Sequence, residues 1–197
     1  MGKPYLEVEK FLPSHIQGRP VFVEIGSDRG EGSTEYLDRL AGQYHTKLYS
    51  VDILPKSQSK LSSTCVNTEF VVARGSDWSR EFGSSATDIA VLYLDNFDYV
   101  WDITEVRPAI RQQQHLYADL GIEMTNQNCQ VEHLAQMINL AGCMHPDGVI
   151  VFDDTYCVND CWIGKCGPAV VYMKTRGWRV VWDYDCGVVM RRVDSEK

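Results

Sequence analysis

The sequence predicts an α/β protein built on a doubly wound, mostly parallel sheet with helices on both faces. Three observations predict it. Short apolar runs such as Val21–Ile25, Leu48–Asp52, Ile89–Leu94 and Gly148–Asp153 alternate with segments of helical length. The first run opens directly into a glycine-rich turn, Ile25-Gly-Ser-Asp-Arg-Gly-Glu-Gly-Ser-Thr34. The last two runs, Trp178–Asp183 and Val188–Met190, are joined by only Tyr184, Asp185, Cys186 and Gly187. That is too short for a helical crossover, so they pair antiparallel as a hairpin. With 197 residues and 44% hydrophobic content, the chain buries one core and reads as a single domain, 1–197.

Taken in order, residues 1–20 form an arm or helix ending at Pro20. Tyr5, Leu6, Val8, Phe11 and Leu12 make this arm more apolar than a solvated tail requires, so it packs either on its own sheet or on a second subunit of a homodimer. Strands are expected near 21–25, 47–52, 69–73, 89–94, 148–153, 178–183 and 187–191. Helices are expected near 33–41, 103–118, 127–142 and 166–176, with weaker helical turns near 56–62 and 77–82. Pro146-Asp147 signals a turn before the fifth strand. The connection 98–130 is longer than a crossover needs and reads as a lid over a substrate.

The glycine-rich turn is a nucleotide-site geometry. Gly26, Gly30 and Gly32 can take backbone angles closed to other residues, and Ser33 and Thr34 can cap the following helix. Asp52, ending the second strand, is placed to receive a ribose diol. The glycine spacing departs from the G-x-G-x-x-G of dinucleotide sites, and Glu24, Asp28 and Glu31 would repel a pyrophosphate. They suit a phosphate-free, positively charged ligand, as S-adenosylmethionine is, and disfavour a nicotinamide oxidoreductase. Here the chain resembles the class I S-adenosylmethionine-dependent methyltransferases, whose Rossmann-like sheet has seven strands and ends in such a hairpin. The cofactor-lining set is then Glu24, Gly26, Ser27, Asp28, Gly30, Ser33, Thr34, Asp52, Ile53 and Asp95, and the resemblance implies adenine contacts from Ser76, Asp77 and Trp78.

Acids at strand ends form a second constellation. Asp95 follows one apolar strand, Asp153 and Asp154 another, and neighbouring strands would bring all three to one rim. Their mutual repulsion is relieved by a divalent cation with oxygen preference, such as Mg²⁺. The segments Leu-Tyr-Leu-Asp95 and Ile-Val-Phe-Asp153-Asp154 resemble the metal-binding segments of catechol-type and macrocin-type O-methyltransferases. The resemblance implies metal ligation by Asp95, Asp153 and Asp154 and methylation of a small-molecule hydroxyl. The catechol-type lysine base is replaced here by Asp98, which fits the carboxylate base of sugar-modifying relatives, and His115 in the lid is a further catalytic candidate. Rival readings are a metal-independent N- or C-methyltransferase of the same fold and a nucleotide-binding module without turnover.

Composition narrows the partners. Nineteen Lys and Arg against 27 Asp and Glu leave a net charge of −8, which argues against a nucleic-acid substrate. The N-terminus lacks the apolar core of a signal peptide, and no run approaches a membrane span, so a cytoplasmic protein without membrane contact is expected. Seven cysteines in an α/β pattern read as reduced thiols. Cys157, Cys161 and Cys166 lack zinc-site spacing, Lys165 reads as a surface lysine or as a contact to an anionic substrate group, and His133 as a helix-surface residue.

Overall fold

A computed structural model describes residues 3–27, 32–55, 61–85, 87–100 and 108–192. The strands in chain order are β1 (Val21–Ile25), β2 (Leu48–Asp52), β3 (Thr68–Val72), β4 (Ile89–Leu94), β5 (Met144–Phe152), β6 (Thr155–Val158), β7 (Cys161–Gly164), β8 (Trp178–Tyr184) and β9 (Gly187–Arg192). The α-helices among the described residues are α1 (Val8–Phe11), α2 (Ser33–Gln43), α3 (Gly75–Phe82), α4 (Pro108–Asp119), α5 (Asn126–Leu140) and α6 (Gly167–Lys174). Seven strands form one sheet in the order β3-β2-β1-β4-β5-β9-β8, and β6 pairs with β7 alone. Every pairing from β3 to β5 is parallel, while β9 runs antiparallel to both β5 and β8.

Burial explains the layering. All six residues of β4 are buried, as a central strand covered on both faces requires. Alternate residues of the central strands face opposite sides. Val23, Ile25, Leu92, Leu94 and Phe152 pack against Met137 and Leu140 of α5 and Val170 and Met173 of α6. Phe22, Tyr93 and Val151 pack against Leu37 and Leu40 of α2 and against Tyr5, Val8, Leu12 and Ile16 of the arm. Burying apolar side chains of this size contributes about 1.5–3 kcal/mol each, enough to hold the arm on its own sheet. At one edge of the sheet, residues of β8 after the buried Trp178 alternate between exposed and half-buried up to Asp183.

Two features depart from the sequence reading. β5 starts at Met144, before Pro146-Asp147, because Ile89 pairs with Met144 and Val91 with Val149, and residues 145–148 bulge out between those pairs. The β6–β7 hairpin, absent from the expected elements, turns at Asn159 and Asp160 with φ of 49° and 62°. Positive φ at both central positions is the requirement of a type I′ turn, which asparagine and aspartate tolerate. The expected helical turn near 56–62 falls largely outside the described residues. No helix is long and apolar enough to cross a membrane among the described residues.

Candidate active site

Strand order reverses between β1 and β4, so their carboxyl ends diverge into a crevice. Gly26, directly after β1, has φ of +100°, and a Cβ there would lie 2.5 Å from Asn96 N and 2.7 Å from Asp95 O. Only glycine lets the end of β1 approach the end of β4 so closely. Asp52 braces the same turn: its carboxylate accepts from Ser27 N at 3.0 Å and from Leu54 N at 2.6 Å. Ile25, Asp52, Ile53, Gly75, Asn96 and Phe97 line the resulting cleft.

Glu24, Ser33 and Thr34 come together in a buried cluster beside this turn. Glu24 is fully buried and faces α2. Its carboxylate accepts from Ser33 Oγ at 2.8 Å, Thr34 Oγ1 at 2.7 Å and Ser50 Oγ at 2.6 Å. Ser27 Oγ joins the chain through Ser50 Oγ at 2.8 Å. Three hydroxyl donors offset the cost of burying the charge, and the carboxylate fixes the start of α2 against β1 and β2. Asp28 and Gly30 lie outside the described residues.

The far wall of the cleft is a polar network that the sequence reading did not contain. Glu132 of α5, 3% exposed, accepts from Arg74 Nε and Nη2 at 3.0 and 2.8 Å and from Ser76 N at 2.7 Å. Gln136, one turn on, donates to Glu132 and to Asn96 Oδ1, each at 3.1 Å. Burial pushes the Glu132 carboxyl up, but Arg74 and the Ser76 amide bring it below its ordinary value. Ser76 thus gives its backbone to a protein partner. Asp77 points outward, 56% exposed, and pairs with Arg80 at 2.7 Å. Trp78 stacks on Phe82 with ring centroids 4.7 Å apart and packs into the core, so neither side chain lines the cleft.

The acidic rim assembles as strand alternation dictates. Glu24 pairs with Tyr93 and Leu94 with Phe152, so Tyr93, Asp95 and Asp153 project to one face. Tyr93 donates its hydroxyl to Asp153 Oδ2 at 2.6 Å, and the same hydroxyl oxygen lies 3.2 Å from Asp95 Oδ2. Asp153 Oδ1 accepts from Asp154 N at 2.7 Å. The three acids expected to meet do meet.

The cation between them is a lysine. Lys165, 2% exposed, places Nζ 2.6 Å from Asp95 Oδ1, 3.1 Å from Asp154 Oδ2 and 3.9 Å from Asp98 Oδ1. Burial pulls the ammonium down, but Asp95, Asp154, Asp98 and Asp153 outweigh it and hold the lysine well above its usual value. The expected Mg²⁺ site at Asp95, Asp153 and Asp154 therefore does not fit these residues. A divalent ion would compete with the ammonium for the same oxygens, against like-charge repulsion. Among the described residues no group of three or more His, Cys, Asp or Glu is arranged to hold a metal. The surface lysine expected at position 165 is instead the counterion of the rim.

The remaining candidates separate. His115 is exposed on α4, whose Tyr117 turns inward to pack on Phe97 at 5.1 Å. His133 is fully buried rather than on the helix surface. Its Nδ1 lies 2.8 Å from Cys129 O, and burial lowers its pKa to about 4. Cys129 packs beside it, pushed up to about 12 by burial. Cys157 and Cys161 are exposed on the β6–β7 hairpin while Cys166 is buried, so these thiols do not converge.

No protein-family model matches the chain, and no curated protein sequence matches it. Solved structures share its fold. A TDP-rhamnose 3′-O-methyltransferase of calicheamicin biosynthesis aligns with a TM-score of 0.58 at 12% identity, over 96% of this chain and 79% of its own. A putative methyltransferase from Streptococcus mutans in complex with SAH aligns at 0.51 and 12% identity, over 98% of this chain and 99% of its own. Fibrillarin from Aeropyrum pernix with natively bound S-adenosyl-L-methionine aligns at 0.53 and 7% identity, over 87% of this chain and 66% of its own. At such identities the likeness establishes the fold: this is the Rossmann-like fold of S-adenosylmethionine-dependent methyltransferases.

Proposed function

We propose that the protein is an S-adenosylmethionine-dependent methyltransferase that methylates a hydroxyl of a small molecule, with an internal lysine where a metal was expected. The observation that carries the proposal is the cleft at the carboxyl ends of β1 to β4, lined by Ile25, Asp52 and Asn96 and opening one residue from the acidic rim. A carboxylate oxygen can accept more than one hydrogen bond, and Asp52 at the end of β2 lines the cleft where a ribose hydroxyl would be bound. Gly75 and Ile53 supply apolar surface for the base, and the Arg74–Glu132 pair fixes that wall. A net charge of −8 supports a small acceptor over nucleic acid.

The rim then holds the acceptor. Its hydroxyl oxygen forms the bond to the methyl carbon as the bond from carbon to sulfur breaks, and the hydroxyl proton passes to the Asp98 carboxylate. Asp98 sits on the loop after β4, partly exposed, with the Lys165 ammonium 3.9 Å away. Alignment of the two reactants contributes on the order of 7–11 kcal/mol, more than the roughly 10²–10⁴-fold that a base supplies. The test is turnover of S-adenosylmethionine to S-adenosylhomocysteine (SAH) with a panel of sugars, phenols and amines in excess chelator. Hydroxyl acceptors should be methylated, and Asp98→Asn should lower kcat by about 100-fold with SAH affinity unchanged. Turnover with amines alone would replace hydroxyl transfer by N-methylation.

A further inference from the structure

We infer that Lys165 is a resident cation of the acidic rim, occupying the position a divalent ion would take, and that removing its ammonium converts the rim into a divalent-cation site. The inference deepens the metal-free reading above. It rests on that reading only for its consequence in catalysis, since the rim geometry stands without it.

The lysine is held by a dedicated piece of structure. β6 and β7 leave the main sheet at Asp154 and return at Gly164, with Thr155 paired to Gly164 at the base. Lys165 N donates to Asp154 O at 2.9 Å, Thr155 N to Cys186 O at 2.8 Å, and Cys166 N to Thr155 Oγ1 at 3.0 Å. Gly164 has φ of +91° and packs on Asp154 O without room for a Cβ. Residues 157–161 are exposed, whereas Thr155, Gly164 and Lys165 are buried. The tip of the hairpin is solvent-exposed, Trp162 packs against the core, and the base aims an ammonium at two strand-end acids.

Charge and distance make the exchange with a metal reciprocal. An ammonium this deeply buried is costly without anionic partners, and adjacent buried carboxylates are costly without a cation. Asp95 Oδ1 and Asp154 Oδ2 face one point, the Nζ position, from 2.6 and 3.1 Å. Oxygen ligands bind divalent ions at roughly 2.0–2.6 Å, so Asp95 is already near ligand distance and an inward shift of Asp154 by roughly 0.5–1 Å forms a two-carboxylate site completed by water.

The experiment uses Mn²⁺ as the probe on the full chain, read by electron paramagnetic resonance and by thermal unfolding. The variants are Lys165→Ala, Lys165→Met, and Lys165→Ala combined with Asp95→Asn. The parent should show no saturable Mn²⁺ binding, whereas Lys165→Ala should bind at least about tenfold more tightly and regain melting temperature as Mn²⁺ is added. Asp95→Asn in that background should abolish the gain. Should Lys165→Ala not fold, Lys165→Met keeps the aliphatic stem and is read in the same way. Saturable binding by the parent that depends on Asp95, or no gain in any folded Lys165 variant, overturns the inference. SAH titration of the same samples separates the two readings: loss of SAH binding by the parent would sink the methyltransferase proposal and leave the Mn²⁺ result standing.

Discussion

At Asp153 two demands meet in one carboxyl group. Burial first, and then the charge of Asp95, push its pKa up to about 8, while the Tyr93 hydroxyl donates to it at 2.6 Å. The sign follows from linkage: an acid that titrates at 3.8 when unfolded and near 8 when folded stabilises the fold fully below 3.8 and loses that stability as pH rises toward 8. His133 acts oppositely, since its pKa falls from 6.5 to about 4 on folding, and its contribution is complete above 6.5. Between pH 6.5 and about 8, stability from urea unfolding should therefore fall with rising pH, by at most about 1.4 kcal/mol per unit, and Asp153→Asn should flatten the slope. A flat parent profile would contradict this assignment. Asp95, Asp153 and Asp154 were legible in the sequence because Asp95 and Asp153 directly follow apolar strands and Asp154 follows Asp153. Lys165 was not, because its burial depends on a hairpin folding back over Asp154.

Among the elements, the turn after β1 is the part whose geometry admits least change. A Cβ on Gly26 would collide with the backbone of Asp95 and Asn96, and φ of +100° strains any other residue. Gly26→Ala should cost on the order of 3 kcal/mol in denaturant unfolding, from backbone strain and overpacking together. Gly142→Ala, with open space around its Cβ, should stay within about 0.5 kcal/mol of the parent; equal effects of the two would contradict the close approach of β1 and β4. Strands of the main sheet were readable because continuous apolar runs mark buried parallel strands. The β6–β7 hairpin carried a signal as well: Asn159-Asp160 lies between Thr-Tyr-Cys-Val158 and Cys161-Trp-Ile-Gly, four residues on each side. Its exposed middle gives no apolar run, which is why periodicity passes over it. Glu132, Gln136 and Arg74 meet only because α5 packs against α3, a tertiary contact with no local trace.

For the whole molecule, the sheet order, the terminal hairpin and the arm packed across Tyr93 place the cleft and the acidic rim side by side. That adjacency is what a transfer between two bound molecules requires. Fold class was the most legible level, since it needs only the alternation of runs and the short final connection. The side on which Glu24 and Trp78 face needed the packed helices to decide. The most direct measurement is a calorimetric titration of the purified protein with SAH and with NAD. SAH should bind and NAD should not, and Asp52→Ala should weaken SAH by about tenfold or more, the loss of a charged hydrogen bond worth roughly 1.5–3 kcal/mol. Undiminished SAH binding by Asp52→Ala, or a preference of the parent for NAD, would contradict the assignment of the cleft.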